Sequence, residues 1–438
     1  MLPAKKRWLN ELKEFLSLAS ISTDPAYRKE MIKTAQWLSR HLKNIGLSSE
    51  LIKGSGHPLV YAEKIIDARA PTLLICSHYD VQPVDPIEQW ETHPFRANVR
   101  KGRIYARGAS DSKGQLFAYI KGAEEAIRSG KLGMNVKFII EGDEEANGKS
   151  LAEFLAKNQK KLSADSIIYA GGAMINKDTP AICYGVRGLL ALEIEAWAFK
   201  DNLHSGSFGG GFANPAEVLA QLLTSVKWKN RQIAIGHFYD GTTEYSDSDL
   251  ESPYSEKELL KMTDAIKLVG EKRFSTIERI SSRPTFEINS FASGYTGEGF
   301  QFIIPNRAVA KVSFRLAPGQ TPKRAFGQFK KFINMLNPGT VKISIRKVDE
   351  AMPALMAKTS LIAIAAAKSL QRVFGRKVAW YRDGGAVPII HDFQQITANV
   401  IMVGFGLLDD NIHAPNEKLD LKNFFRGVEF ARDLLMGS

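Results

Sequence analysis

The stretch Leu73–Pro83, LLICSHYDVQP, is the strongest indication in this chain of its fold class. Its apolar first half predicts a short buried strand of a parallel sheet. The strand would end at His78 and Asp80, and in open α/β sheets functional residues collect at the carboxyl ends of strands. A histidine and an aspartate at this spacing can serve as a metal ligand and as the carboxylate that orients it. Taken alone, the pair is explained equally well as a buried histidine with a local partner. Whether it is a metal site depends on whether other strand ends supply further ligands.

Helices and strands alternate on both sides of this stretch. A helical pattern opens at Arg107–Gly114 and runs to about Arg128, and the strand Val136–Ile140 leads directly into an acidic run. A further strand is predicted at Ser166–Tyr169. This alternation predicts an α/β domain with a mostly parallel sheet.

The pattern changes from about Gly188, where apolar and polar residues begin to alternate as in a half-exposed strand. The order of predicted elements from there is β-α-β-β-α-β, the split βαβ motif of a compact, ferredoxin-like α+β insertion. From about residue 354 the first pattern returns. We therefore divide the chain into an α/β domain formed by residues 1–187 and 351–438 and an inserted domain formed by residues 188–350. An exposed strand edge on the insertion favours a homodimer.

The composition of the 438-residue chain is that of an ordinary soluble globular protein, with 44% hydrophobic and 24% charged residues. The net charge is +12, but Lys and Arg are spread along the chain, which favours a solvated basic surface over a nucleic-acid-binding site. The two cysteines, Cys76 and Cys183, are too few for a disulfide framework and favour a reducing, cytoplasmic environment. The N-terminus predicts an amphipathic helix rather than a signal peptide or membrane span.

Residues of the types that bind metal ions occur at four positions in the α/β part, each at a strand end or in an adjoining loop. They are His78 with Asp80, Asp111, the pair Glu144–Glu145, and His413. Imidazole and carboxylate together suit zinc, manganese or cobalt, and a carboxylate in a glycine-flanked loop, as at Asp111, could bridge two ions. Of two adjacent glutamates, one can bind metal while the other serves as general base. Each residue separately has an ordinary structural explanation, whereas together they favour a metal site.

Several motifs resemble one known family of hydrolases. They are HYDVQPVD (78–85), RGASDSKGQ (107–115), EGDEEANGK (141–149), YGVRG (184–188), LHSGSFGG (203–210), ANP (213–215), GYTGEG (294–299), SFRLAPGQ (313–320) and GFGLLDDNIHAPNE (404–417). This set resembles the di-metal aminopeptidase-like hydrolases that include carboxypeptidase G, aminoacylase and succinyl-diaminopimelate desuccinylase. Within them, it looks most like the carnosinase and cytosolic non-specific dipeptidase branch.

The resemblance implies a zinc-peptidase-like catalytic domain with a lid and dimerisation domain inserted in it, and two zinc ions, with manganese or cobalt as alternatives. His78 would bind one ion, with Asp80 holding its ring, and Asp111 would bridge. The second ion would be held by Glu145 and His413. Glu144 would be the base that takes a proton from the metal-activated water and passes it to the leaving amine.

The resemblance also implies how substrate is held. His204, in the lid, would reach into the partner subunit's site and stabilise the developing oxyanion. Its alternative is an ordinary surface loop histidine. Arg315 would hold the substrate carboxylate by a bidentate pair, and its alternative is a surface arginine. Gly384 and Gly385 would line the pocket.

Two departures from the family pattern stand out. The family has an aspartate after the strand Ser166–Tyr169, and alignment on Met174 and on residues 180–185 places Gly171 there. Glycine has no side chain to coordinate with, so the ion on His78 would lose its third protein ligand and that position would be weaker or empty. We therefore predict that the ion on His78 is the more labile of the two. The second departure is Asp383, where related proteins often carry Glu.

The sequence therefore predicts a metal-dependent hydrolase of short peptides, specifically a dipeptidase. Within the enzyme class, the alternative is an N-acyl-amino-acid amidohydrolase or a carboxypeptidase, because the pocket rather than the metal chemistry sets that choice. An alternative of another class is a binding protein with the same fold that Gly171 has made catalytically silent.

Overall fold

The computed structural model describes residues 3–146, 148–242, 251 and 255–437. The first part of the chain forms eight strands: β1 (Ser48–Ile52), β2 (Leu59–Lys64), β3 (Thr72–His78), β4 (Asn98–Arg100), β5 (Arg103–Tyr105), β6 (Asn135–Glu141), β7 (Ser166–Tyr169) and β8 (Ala181–Val186). Its helices are α1 (Pro3–Leu16), α2 (Arg28–Asn44), α3 (Lys113–Arg128), α4 (Ser150–Lys157) and α5 (Gln159–Leu162). Short 3₁₀ turns lie at Pro25–Tyr27 and Ile87–Gln89.

The inserted part follows without a break. Its strands are β9 (Gly188–Trp197), β10 (Leu203–His204), β11 (Thr285–Ser293), β12 (Ile303–Ile304), β13 (Arg307–Leu316) and β14 (Lys342–Ala351). Its helices are α6 (Ser205–Phe208), α7 (Pro215–Thr224), α8 (Glu256–Thr263), α9 (Thr276–Ser281) and α10 (Pro322–Leu336). The last part contains β15 (Ala354–Leu355), α11 (Leu361–Phe374), β16 (Ala379–Asp383), α12 (Pro388–Phe393), β17 (Val400–Met402), β18 (Lys418–Asp420) and α13 (Leu421–Leu435).

A nine-stranded mixed sheet is the centre of the α/β domain. Its strand order is β1-β2-β6-β3-β7-β17-β8-β15, with β16 also paired to β8. The four central strands β6, β3, β7 and β17 are parallel to one another, which confirms the predicted parallel core, and the strands beyond them include antiparallel pairs. Both faces of this core are covered, because β3 and β6 are buried almost throughout. Parallel strands bring their carboxyl ends to one edge, where the site lies.

The inserted part is a four-stranded antiparallel sheet in the order β11-β13-β9-β14. The principal elements follow the predicted order β-α-β-β-α-β, which confirms the α+β insertion. Helices α7 and α10 cover one face of the sheet and pack on alternate residues of β9, namely Leu190, Leu192, Ile194 and Ala196. The opposite face is solvated and carries ion pairs such as Arg346–Glu193 at 3.0 Å. The three-part division of the chain at residues 187 and 350 stays a prediction.

The sequence did not predict β1 and β8, because neither has a clear periodic signal, and it did not predict the two- and three-residue strands β10, β12, β15 and β18. β8 contains a glycine and is buried throughout, and β1 is a short edge strand of mostly exposed residues. The last strand of the insertion, β14, continues past Lys347 to Ala351 through a bulge before Asp349. Among the described residues, there is no helix long and apolar enough to cross a membrane.

The N-terminal helices shield the helix that carries the site loop. α1 packs through Leu12 and Phe15 on α3, and the Phe15 ring stacks on Trp37 of α2 at 5.2 Å. His41 of α2 lies in the same aromatic group, with its ring 4.8 Å from Trp37 and 5.3 Å from Phe117. Burial, aided by the charge of Lys121, lowers the pKa of His41 to about 4 from 6.5.

We expect this histidine to make folding sensitive to acid. Since the unfolded chain binds the proton more readily, the stabilisation is complete above about pH 6.5 and is lost as the pH falls toward 4. The loss should approach about 3 kcal/mol at about 1.4 kcal/mol per pKa unit. His41→Phe should flatten this part of the stability profile in urea unfolding at pH 7 and pH 4.5. The same substitution at exposed His237 should leave the profile unchanged.

Candidate metal centre

The site residues lie at the carboxyl edge of the central sheet. β3 ends at His78, whose register partner is Glu141, the last residue of β6. Glu144 and Glu145 follow β6 within a few residues. The loop before α3 provides Asp111, and the loop between β17 and β18 provides His413. Residues separated by more than 300 positions therefore meet at one edge.

His78 is buried and is held from both of its ring nitrogens. Nδ1 lies 3.1 Å from the backbone oxygen of Asp80 and 3.4 Å from its Oδ1. Nε2 lies 3.1 Å from Asp111 Oδ1. The other carboxylate oxygen of Asp80 accepts a hydrogen bond from the Glu145 backbone N–H at 3.0 Å. Asp80 therefore ties the position of His78 to the loop that carries Glu145.

Asp111 stands between two imidazoles. Its Oδ1 faces His78, and its Oδ2 lies 3.0 Å from His413 Nε2. Glu145 Oε1 is 3.3 Å from the same histidine nitrogen. This Oε1 is buried and accepts no hydrogen bond from the described residues, whereas Glu145 Oε2 accepts one from Gln82 at 2.8 Å. A buried carboxylate oxygen without a donor, facing an imidazole and a second carboxylate, fits a bound cation.

Two groups of ligand atoms are close enough to hold a divalent ion. The atoms of Asp111, Glu145 and His413 lie within 4.8 Å of one another, and so do those of His78, Glu144 and Glu145. Nitrogen and oxygen donors in such sets suit zinc or manganese. The residues present therefore fit a metal, and the structure brings the predicted His78, Asp111, Glu144, Glu145 and His413 together.

The clustering of carboxyl groups and imidazoles in the site shifts their pKa values. Burial raises the pKa of Glu144 to about 7, with the charge of His78 opposing and that of Glu145 adding to the effect. The hydrogen bond to Asp111, together with the nearby carboxylate of Glu145, raises the pKa of His413 to about 10. Burial would raise the pKa of Asp111, but the hydrogen bonds from His413 and His78 outweigh it and lower that pKa. Positive charge is thus favoured at the centre.

The loop that carries Asp111 is held by a residue that the sequence analysis did not assign. Glu417 is fully buried and accepts hydrogen bonds from the backbone N–H groups of Gly108, Ser110 and Asp111, each at 2.9 Å. It also pairs with buried Arg107 at 2.8 Å. The only signal in the sequence was its position four residues after His413 within one motif.

A cleft connects the metal centre with the inserted domain. It has a volume of about 460 Å³ and is lined by Glu144 and Tyr169 from the α/β domain and by Arg315 and Leu189 from the insertion. That volume is within the usual range of about 300–1,000 Å³ for small-molecule sites. Arg315 and Leu189 are register partners on β13 and β9, so the lid sheet itself presents this arginine to the cleft.

Of the predicted glycine pair, Gly385 lines this cleft, whereas Gly384 is not among its lining residues. Gly385 N–H donates to Asp383 Oδ1 at 2.7 Å, and Arg187 Nε donates to the Gly384 backbone oxygen at 2.9 Å. A Cβ on Gly384 would lie 2.2 Å from the backbone oxygen of Ile280, so only glycine fits. Arg187 belongs to the motif YGVRG, and the sequence predicted no role for it. Burial, with Arg315 nearby, lowers its pKa to about 10.

His204 is not among the residues that line this cleft. It is exposed at the end of β10, where its Nδ1 accepts hydrogen bonds from the backbone N–H groups of Gly206 at 3.1 Å and Ser207 at 3.3 Å. The described part of the chain therefore does not bring His204 to its own metal centre. Its predicted role in a partner's site stays a prediction.

Gly171 lies beside the centre, two residues after the end of β7, and β7 is a parallel neighbour of β3. It brings no side chain to the position where the family pattern has an aspartate. Asp178, the nearest acidic residue that follows in the sequence, is paired instead with Lys422 and Arg426 at 3.2 Å. It does not replace the missing carboxylate.

The carboxylate of Asp111 lies between two imidazoles, and Glu144 lies beside them in a cleft. This arrangement is typical of a metal-dependent hydrolase. The chain belongs to peptidase family M20/M25/M40, whose model matches residues 74–437. The predicted resemblance is confirmed, and the chain is a metallopeptidase that hydrolyses peptide bonds.

Similar proteins match over almost the whole chain. A β-Ala-His dipeptidase of Mus musculus is 28% identical, covering 96% of this chain and 90% of its own. A Cys-Gly metallodipeptidase of Schizosaccharomyces pombe is 26% identical, covering 97% and 94%. The crystal structure of an M20 family metallo-carboxypeptidase from Sulfolobus solfataricus superposes with a TM-score of 0.87 at 32% identity, covering 98% of both chains. That of human carnosine dipeptidase 1 gives 0.82 at 25%, covering 99% and 96%.

Replacing Glu417 by Gln should lower the metal affinity of the centre, although Glu417 is not itself a proposed ligand. The amide would leave Arg107 without its charge partner and would weaken the clamp on the Asp111 loop. Substituting residues that support ligands typically costs about 10–100-fold in metal affinity, and we expect a loss in that range. Zinc titration against a competing chelator measures it. Glu429→Gln, which removes only a half-exposed pair with Lys5, is the control and should leave affinity unchanged.

Proposed function

We propose that the chain is a metal-dependent dipeptidase whose centre holds divalent ions, zinc in the first place and manganese or cobalt as alternatives. The observation that carries this proposal is the position of Asp111, whose two oxygens face His78 and His413 separately at 3.1 Å and 3.0 Å. A carboxylate so placed can bridge two ions. The two dipeptidase relatives support the substrate class, because they match this chain nearly end to end.

Bound divalent ions would polarise the scissile carbonyl and activate the attacking water. Glu144 is the base in this proposal: it takes the proton of that water and delivers it to the leaving amine. Burial raises the pKa of Glu144 to about 7, and a buried carboxyl group with a raised pKa beside a cleft is typical of a general base. Asp80 fixes the ring of His78 from the side opposite Asp111.

Substrate binding is assigned to the cleft. Arg315 would take the substrate's carboxylate in a two-point ion pair, and the turn of Gly384 and Gly385 would form part of the pocket wall. Arg187 supports that turn through its bond to Gly384. A ligand of two residues suits a cleft of about 460 Å³.

His204 is proposed to act in the site of a second copy of this chain. Its support is the exposed aromatic surface around it, formed by Phe208, Phe212, Phe300 and Phe302, which are 42%, 53%, 78% and 69% exposed. Apolar patches of this kind mark interfaces. A homodimer through the inserted domain would cover the patch and bring His204 to the partner's cleft. A reducing, cytoplasmic location is proposed from the two free, buried cysteines.

The second candidate is a carboxypeptidase or an N-acyl-amino-acid amidohydrolase. The similarity to the Sulfolobus solfataricus metallo-carboxypeptidase favours the first of these. Hydrolysis of dipeptides, of longer peptides from the carboxyl end and of N-acyl amino acids should be compared on one preparation. Dipeptides should give the highest kcat/KM, and a preference for longer peptides would replace our assignment by carboxypeptidase. Failure on all three classes would favour the silent binding protein.

Two substitutions should separate proton transfer from metal binding. Glu144→Gln should lower kcat by about 10²–10⁴-fold while bound metal remains, because it removes a base. His413→Ala should lower the metal content itself, because it removes a ligand. Metal analysis by mass spectrometry and dipeptide kinetics measure the two effects. Loss of metal in Glu144→Gln would show that this residue is a ligand rather than the base.

Mixing two inactive variants tests the role of His204. His204→Ala and Glu144→Gln homodimers should each be nearly inactive. In a heterodimer, the site with an intact Glu144 receives His204 from its partner. Random exchange should therefore restore about a quarter of the original activity, since half the dimers are mixed and one of their two sites is complete. No recovery, with exchange shown by mass-tagged chains, would place His204 outside the partner's site.

A further inference from the structure

The space where the missing carboxylate would begin is already filled. A Cβ built on Gly171 would lie 2.9 Å from Cε1 and 3.2 Å from Cδ1 of Tyr169. These are closer than carbon atoms pack without one of them moving. The backbone of Gly171 does not require glycine, since Gly172 but not Gly171 has a positive φ. The ring of Tyr169, and not the backbone, is therefore what excludes a side chain at residue 171.

Tyr169 cannot easily step aside. It is the last residue of β7, paired with Cys76 of β3 and with Met402 of β17. Its backbone oxygen also accepts a hydrogen bond from Val403 N–H at 3.1 Å. The side chain is 5% exposed and packs in a core cluster with Leu151, among others. Strands on both sides therefore fix the backbone of Tyr169, and the core cluster packs against one side of its ring.

The ring also faces the metal centre. It lines the same cleft as Glu144 and Arg315. The charges of Glu144 and Asp111 act on its hydroxyl and, together with burial, raise the pKa of that group. One edge of the ring, formed by Cε1 and Cδ1, lies against the position of a side chain at residue 171. Tyr169 thus borders both that position and the cleft that contains Glu144.

We propose that Tyr169 and Gly171 act as one unit that sets how many metal ions the centre retains, Tyr169 being a positioning residue whose ring keeps a third ligand away from His78. This inference rests on the proposed metal centre. His78 then shares an ion with Asp111 alone, unless the ion also takes Glu144, which would be lost as the base, or Glu145, which the group of Asp111 and His413 already uses. One ion is retained firmly, at Asp111, Glu145 and His413.

Metal stoichiometry tests the proposal. The chain and its variants are loaded with zinc chloride, dialysed against a weak chelator and analysed by mass spectrometry. The parent chain and Gly171→Asp should both retain one zinc per chain, since the ring blocks the new carboxylate. Tyr169→Val with Gly171→Asp should retain two, because valine suits a strand and frees the space. Tyr169→Phe with Gly171→Asp is the matched control: it keeps the ring, removes the hydroxyl, and should retain one.

Several results would overturn the inference. They are two zinc ions in the parent chain, two in Gly171→Asp alone or in the Phe control, and one in a folded Val double variant. If Gly171→Asp does not fold, Gly171→Ala replaces it, since it introduces the same Cβ. It should lower the melting temperature in the parent background and less so beside Tyr169→Val, and equal lowering in both backgrounds would contradict the proposal.

Failure of the underlying metal centre would look different. In that case, the parent chain and His413→Ala would retain the same amount of zinc. If His413→Ala loses the zinc that the parent retains, the centre stands. The variants of Tyr169 and Gly171 then decide the inference alone.

Discussion

The buried carboxylate of Glu417 is the constraint on which the centre depends. It gathers the backbone N–H groups of the loop before α3 and is neutralised by Arg107, which is equally buried. A buried charge is tolerable only when it is paired and hydrogen-bonded, and here both conditions are met by one loop. The result is that Asp111 projects at a fixed point between His78 and His413. Without that clamp, nothing would fix the Asp111 carboxylate between the two histidines.

The centre concentrates negative charge at the edge of a buried sheet. Burial raises the pKa values of Glu141 and Glu144, and neighbouring carboxylates add to the effect, whereas the charge of His78 opposes it. Such an arrangement costs free energy unless cations compensate it, and two imidazoles supply only part of that compensation. The unsatisfied Oε1 of Glu145 indicates where a divalent ion would complete it. Structure and chemistry thus point to the same ligand set.

The inserted domain contributes to the candidate site by positioning side chains at the cleft. Its antiparallel sheet holds Arg315 at the end of β13, beside the first residues of β9, and so at the mouth of the cleft. Arg187, at the junction of the two domains, fixes the glycine turn on the opposite wall. The same domain carries His204 on an exposed aromatic surface away from that cleft. In the proposed dimer, one inserted domain would serve both its own site and that of the second copy.

The sequence alone determined the alternation of helices and strands, the βαββαβ insertion and the residue types at the strand ends, because periodicity and local spacing encode them. It also located Gly171 as a departure. It did not reveal the roles of Glu417, Arg187 or Tyr169, since each acts through space rather than through neighbouring residues. Glu417 and Asp111 are 306 positions apart, and whether a ring covers Gly171 depends on how three strands pack. Only the tertiary structure decides such contacts, because packing rather than local sequence brings these atoms within bonding or steric range.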